Sequence, residues 1–180
     1  LEFVKKITST KKIDFKPLSG MENTLRDTVG IIIAASGNEK RWSINNYLKL
    51  IEFLKEKNYT KFLVISGLDQ EKEEISIKEN FIDDIEIIFT SDKKISDVIP
   101  YLKKCQFCIG NDTGFAHLSV NLDIETMVIQ GDCPPQTYSA LLKHIDIEAD
   151  IIRSSTSIHT IKVEKVLNEI SNFLINRRGG

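Results

Sequence analysis

Phe107-Cys108-Ile109-Gly110-Asn111-Asp112-Thr113-Gly114-Phe115-Ala116-His117 decides how this chain folds. Its apolar opening reads as a strand. The Gly-Asn-Asp-Thr-Gly cluster that follows is turn chemistry, and a helical pattern, Phe115 to Asn121, begins at once. Strand, tight turn and helix start is the layout that aims free backbone N–H groups at an anion. Asp112 or Thr113 can cap the helix, and Gly114 lets backbone approach a ligand closely. His117 lies one helical turn beyond Thr113 and Gly114, so its ring can face the same pocket.

The same alternation extends to both sides of this stretch. Val29–Ala34, Lys61–Ser66, Ile85–Phe89, Gln106–Ile109 and Thr126–Gln130 are short apolar runs typical of strands buried on both faces. A sixth short strand is expected over Ala149–Arg153. Between them the spacing predicts helices over Ile44–Lys57, capped by Ser43, and over Gln70–Asn80 with Ile75 inward. Further helices are predicted over Ile95–Lys104, shortened or kinked by Pro100, over Thr137–Lys143, and over Lys162–Asn176. Strands alternating with helices make βαβ units, so the fold class is α/β: a Rossmann-like parallel sheet sandwiched by helices. Residues 1–28, Lys-rich and broken by Pro17 and Gly20, read as a linker or lead-in, or equally as a peripheral element. Residues 29–176 form the domain, and 177–180 are a fraying tail.

Composition narrows the partners. The chain has 180 residues, 41% hydrophobic and 28% charged, as a soluble globular domain should be. Lys plus Arg (24) nearly balance Asp plus Glu (26), so nothing argues for nucleic acid. No apolar stretch approaches membrane-spanning length, and no leader pattern is seen. Three cysteines, Cys105, Cys108 and Cys133, are too few for a disulfide framework, and a reducing cytoplasm is expected. Cys105 and Cys108 have C-x-x-C spacing but no second ligand pair, so they are expected to be buried structural thiols. Leu1 in place of Met points to a piece of something longer.

In such sheets ligands bind beyond the carboxyl ends of the strands. The loops that fall there are Ala35–Trp42, Gly67–Glu71, Gly110–His117 and Gly131–Gln136. Lys40 and Arg41 bring positive charge after the first strand, and Gly114 brings N–H donors after the fourth. Together they suit a diphosphate. Each has a plainer reading alone: a solvated basic pair, a turn glycine, and for His117 a core or capping histidine.

Ser36-Gly37-Asn38-Glu39-Lys40-Arg41-Trp42-Ser43, followed much later by Asp112-Thr113-Gly114-Phe115-Ala116-His117, resembles the heptosyltransferases of glycosyltransferase family 9. The resemblance spans roughly Val29 to Gln136, with both motifs in order at the expected strand ends. It implies the C-terminal, sugar-nucleotide-binding half of a GT-B glycosyltransferase. Ser36 and Lys40 then match contacts to the donor diphosphate, and Thr113 and Gly114 match the backbone cradle for the same phosphates. Asp112 matches a carboxylate beside the donor sugar, and His117 the motif histidine. Glu71 matches an acidic residue holding the ribose; alone, it is a first-turn carboxylate favoured by the helix dipole. Arg41 and Trp42 are expected to anchor their loop by packing. Gln136 and Tyr138 are candidates for the nucleotide pocket.

The resemblance further implies an inverting transferase that uses ADP-heptose by family default and acts on lipopolysaccharide or a similar surface glycan. No cofactor is implied. The absence of an Asp-x-Asp pair in a suitable loop argues against a metal-dependent reaction. The catalytic base would come from an N-terminal acceptor domain, so this chain by itself is expected to bind donor without useful turnover. Any membrane contact would be peripheral, at the inner membrane, through that other domain. The chain departs from the family at Ala34, at Gly37-Asn38, and at Gly131-Asp132-Cys133-Pro134-Pro135, where Gly-Pro-Thr-Asp-Pro is usual. Those departures keep open a non-catalytic nucleotide-sugar-binding or regulatory module, or a different enzyme of the same architecture such as an epimerase.

Overall fold

A computed structural model of the protein describes residues 25–178. Most of the expected lead-in therefore lies outside the described residues. Among the described residues six strands form one sheet: β1 (Thr28–Ile32), β2 (Lys61–Ile65), β3 (Glu86–Phe89), β4 (Cys105–Asn111), β5 (Glu125–Gln130) and β6 (Leu142–Asp146). The helices among the described residues are α1 (Ile44–Glu56), α2 (Glu71–Asn80), α3 (Ile95–Leu102), α4 (Gly114–Asn121) and α5 (Val163–Arg178). Short 3-10 turns occupy Asn38–Lys40 and Ser157–Thr160.

The strand order is β3-β2-β1-β4-β5-β6, and every pairing is parallel. Parallel strands need crossovers, and the crossover helices cover both faces. Alternation along β1 shows how the chain divides its apolar residues. Val29, Ile31 and Ile33 join α1, α2 and α5 in one core, while Ile32 joins α3 and α4 in the other. Tyr47, Leu50, Ile51 and Leu54 carry the contact of α1, and Val166, Ile170, Phe173 and Leu174 that of α5. The continuous apolar runs in the sequence are thus two faces interleaved at period two.

The sheet runs outward in both directions from the β1–β4 pair. The helices that follow β1 and β4 leave to opposite faces, so a crevice opens between their carboxyl ends.

Several elements differ from expectation. Thr137–Lys143 is not helical; Leu142–Asp146 is instead the edge strand β6. Leu141, Leu142 and Ile145 carry helix-like spacing, but Thr126 N–H donates to Leu141 O at 2.8 Å and β5 pairs with the segment through Asp146. Ala149–Arg153 is a turn rather than a strand. It is spanned by a two-toothed ion pair in which Arg153 Nη1 donates to Asp146 Oδ1 at 2.8 Å and Nη2 donates to Oδ2. Ile75 is 47% exposed and Ile77 is the buried residue of α2. Two residues along a helix is about 200°, so burying one turns the other outward. Ser43 stands at the start of α1, but only its carbonyl serves there; its hydroxyl makes no capping bond. Nor does Arg177 fray: it lies in α5, donates to Gln106 O at 2.8 Å and stands over the rings of Phe107 and Phe173. Cys105 and Cys108 are buried free thiols in β4, packed over Gly30.

Candidate functional site

The loop after β1 is held by side chains that the sequence placed next to charged ones. Trp42 is 2% exposed, packs edge-on against Tyr47 and donates through Nε1 to Ile161 O at 2.8 Å. Asn111, at the end of β4 and wholly buried, ties this loop to the next. Its Oδ1 accepts from Trp42 N–H at 3.1 Å and Tyr47 O–H at 2.9 Å, and its Nδ2 donates to Ile33 O at 2.8 Å. An amide offers both donors and acceptors, which is what a buried junction of two backbone segments requires. Arg41 turns away from the crevice to ion-pair with Asp69 and, at 3.9 Å, with Glu73. Anchored by Trp42 on one side and Arg41 on the other, the loop presents Ser36 and Lys40 to the crevice.

Across it, Thr113 occupies the cap position of α4. No side chain among the described residues caps this helix end. Only Ala116 and His117 donate back to Thr113 O, at 3.0 and 3.4 Å. The amides of Gly114 and Phe115 belong to the first turn, whose N–H groups have no acceptor within the helix. A Cβ built on Gly114 meets nothing of the described residues within 4 Å. The fold's own packing does not ask for glycine there; the space beside that backbone belongs to the crevice. Thr113 Oγ1 is buried and has no hydrogen-bond partner among the described residues, which is unusual for a hydroxyl.

These groups share one cleft of about 260 Å³, lined by Ser36, Lys40, Asp112, Thr113, Gly114 and His117 together with Gly131, Asp132, Cys133 and Ser155. The structure therefore brings together Ser36, Lys40, Asp112, Thr113, Gly114 and His117, but not Glu71, which is exposed at the start of α2, nor Gln136 and Tyr138, which also lie outside the lining. Gln136 contributes only its carbonyl, which accepts from His144 at 2.8 Å. Tyr138 stands at the mouth, 54% exposed, with its hydroxyl 2.6 Å from His117 Nδ1. His117 Nε2 is 3.2 Å from Asp112 Oδ1. A carboxylate only accepts, so the Nε2–H of His117 donates to Asp112. The ring thereby fixes the Asp112 carboxylate at the floor of the cleft. Burial, then the Asp112 charge, pushes the Tyr138 phenol up, which keeps it a donor.

The wall opposite Lys40 is the loop after β5. A Cβ on Gly131 would lie 2.3 Å from Ile158 N, so only glycine permits this loop to rest on the Ser157–Thr160 turn. Arg153 Nη1 donates to Cys133 O at 2.9 Å and fixes the next residues. Asp132 Oδ2 then lies 2.8 Å from Lys40 Nζ. Each holds the other charged: the hydrogen bond to Asp132 raises the lysine's pKa, and the same bond lowers the carboxyl's. Sequence reasoning missed Asp132, Cys133, Ser155 and Asn111 as site components. Gly131 to Pro135 was visible as a loop at the right sheet edge, and the Ser154-Ser155-Thr156-Ser157 run carried a loop signal hidden by the expected strand before it. Among the described residues no group of three His, Cys, Asp or Glu side chains is placed to hold a metal ion. No helix among them is long and apolar enough to cross a membrane.

Fold and cleft define a class: a Rossmann-type α/β domain with a crevice where the strand order reverses. The family model of glycosyltransferase family 9 (heptosyltransferase) matches residues 6–167, and the chain belongs to that family. The Escherichia coli heptosyltransferase WaaC, solved with ADP, superposes with a TM-score of 0.69 at 17% identity, over 87% of this chain and 47% of that one. The E. coli ADP-heptose LPS heptosyltransferase II gives 0.68 at 18%, over 88% and 49%. A family 9 glycosyltransferase from Veillonella parvula DSM 2008 gives 0.71 at 15%, over 87% and 48%. The chain thus spans about half the length of these solved structures. No curated protein matches it by sequence.

Proposed function

We propose that this chain is the donor-binding half of an inverting, metal-independent glycosyltransferase, acting on a nucleoside-diphosphate sugar. The observation that carries the reading is the meeting of Lys40, Thr113 and the uncapped α4 start, with the open side of Gly114, in one cleft. Sugar transfer from a diphosphate needs charge neutralisation as the bond from the anomeric carbon to the phosphate oxygen breaks. An ammonium, a hydroxyl and first-turn N–H groups supply it where that charge develops. Asp112, oriented by His117, is placed to accept hydrogen bonds from sugar hydroxyls.

An adenine nucleotide is the first donor to test, since WaaC was solved with ADP and with ADP-2-deoxy-2-fluoro heptose. Heptose, and lipopolysaccharide or a related surface glycan as acceptor, extend the same reading. Inversion requires a base to take the proton of the acceptor hydroxyl as that oxygen attacks the anomeric carbon. We assign the base and the acceptor site to a second domain, with residues 29–176 as the donor domain, and place the enzyme in the cytoplasm, with any membrane contact peripheral.

Isothermal titration with ADP and a panel of nucleotide sugars tests this. Binding that is lost in Lys40→Ala and Asp112→Ala, with the thermal midpoint unchanged, supports it. Absence of binding to every nucleotide sugar defeats the donor assignment. Robust sugar transfer by this chain alone would defeat the division of labour.

A further inference from the structure

We infer that Asp132 is a built-in competitor for the donor diphosphate, a positioning residue that tunes Lys40 and biases the cleft against the more highly charged free nucleotide. The inference rests on the donor-site reading above. Its basis is geometric. Lys40 is the ammonium of the cleft, and its partner is the Asp132 carboxylate at 2.8 Å. Both side chains line the same space as Thr113 and Gly114. A phosphate oxygen that takes Lys40 must share the ammonium with that carboxylate or replace it.

Asp132 cannot retreat far when this happens. Gly131 before it is pressed against the backbone of Ile158, and the carbonyl of Cys133 after it is held by Arg153 at 2.9 Å. The side chain can rotate, but its negative charge stays beside the diphosphate. Two effects then oppose binding: the Lys40–Asp132 pair is weakened or broken, and a carboxylate faces phosphate. The second grows with ligand charge. A free nucleoside diphosphate ends in a phosphate whose second ionisation lies near 6, so it carries about one more negative charge at neutral pH than a sugar-esterified diphosphate. Asp132 therefore penalises the leaving group more than the donor, which favours release after transfer.

An exposed ion pair contributes roughly 1.5- to 5-fold to an equilibrium constant. With the like-charge contribution, Asp132→Asn is expected to tighten ADP about 3- to 10-fold, and an ADP-sugar less. The test is titration of wild type, Asp132→Asn and Asp132→Ser with inorganic pyrophosphate, ADP and an ADP-sugar, each repeated in a Lys40→Ala background. Tighter ADP binding in either variant, greater than the gain for the ADP-sugar and reduced by Lys40→Ala, bears the inference out; an equal gain for both ligands overturns the bias against the free nucleotide. If wild type binds ADP through Lys40 and neither variant gains affinity, the Asp132 assignment falls while the donor reading stands. If the gain survives intact without Lys40, the coupling is wrong. If no protein in the set binds ADP or pyrophosphate, both readings fall together.

Discussion

Replacing Asn111 with alanine should cost the fold more than any surface change at the cleft. The side chain is wholly buried and makes three hydrogen bonds, to Trp42 N–H, Tyr47 O–H and Ile33 O. Two of those partners have a second choice: Tyr47 O–H also reaches Ile32 O at 2.9 Å, and Ile33 O also accepts from Gln70 Nε2 at 3.0 Å. Trp42 N–H has none among the bonds of the described residues. An abandoned buried donor costs about 1–3 kcal/mol and a lost hydrogen bond about 0.5–1.5, so Asn111→Ala should lose about 2–4 kcal/mol before any cavity cost. Asn111→Asp should lose more at pH 7, since a carboxylate there cannot donate to Ile33 O and would be buried without a cation. Burial raises such a pKa, so the deficit should shrink as pH falls and the neutral acid becomes a donor. The chain has a single tryptophan, Trp42, which touches the perturbed bond and reports unfolding in urea. A midpoint shift worth less than about 0.5 kcal/mol at unchanged slope would refute the claim that Asn111 is the tie between the two loops.

Three further outcomes are expected. Gly114→Ala should leave stability unchanged or raise it by about 0.5–1 kcal/mol, because the new methyl meets no protein atom, yet it should weaken diphosphate binding in calorimetry. Thr113→Val removes a buried hydroxyl that has no partner, so the thermal midpoint should hold or rise while nucleotide affinity drops; a clear loss of stability would show that the hydroxyl serves the fold instead. For Asp146, the hydrogen bond from Arg153 holds the carboxyl below its ordinary value. Its stabilisation is therefore present above the usual carboxylate range near 4 and disappears as pH falls through the lowered pKa. Urea midpoints at pH 7 and pH 3 should differ less in Asp146→Asn than in wild type.

Period-two and helical spacing are local, and they sufficed for five of the six strands, since Val29–Ala34 and its counterparts each announce themselves within a few residues. Where two periods coincide, locality fails. Leu141, Leu142 and Ile145 suit either a helix or a strand, and only pairing with β5 selects the strand. The phase of α2 shows the same thing: the row of charges from Glu71 to Asn80 does not say whether Ile75 or Ile77 turns inward, and the core beneath decides for Ile77. Asn111 was visible as a turn residue but not as a junction, because its partners lie 64 to 78 positions away.

By itself the sequence determined the α/β class, the turn at Gly110–Gly114, the cations of the first loop and the resemblance that joins them. Tertiary structure alone decided that Lys40 and Gly114 share a cleft, that Glu71 does not line it, and that Asp132 pairs with Lys40. The physical reason is that strand order brings β1 beside β4 and β5 beside β4, and no local pattern encodes which distant carboxyl ends will be neighbours.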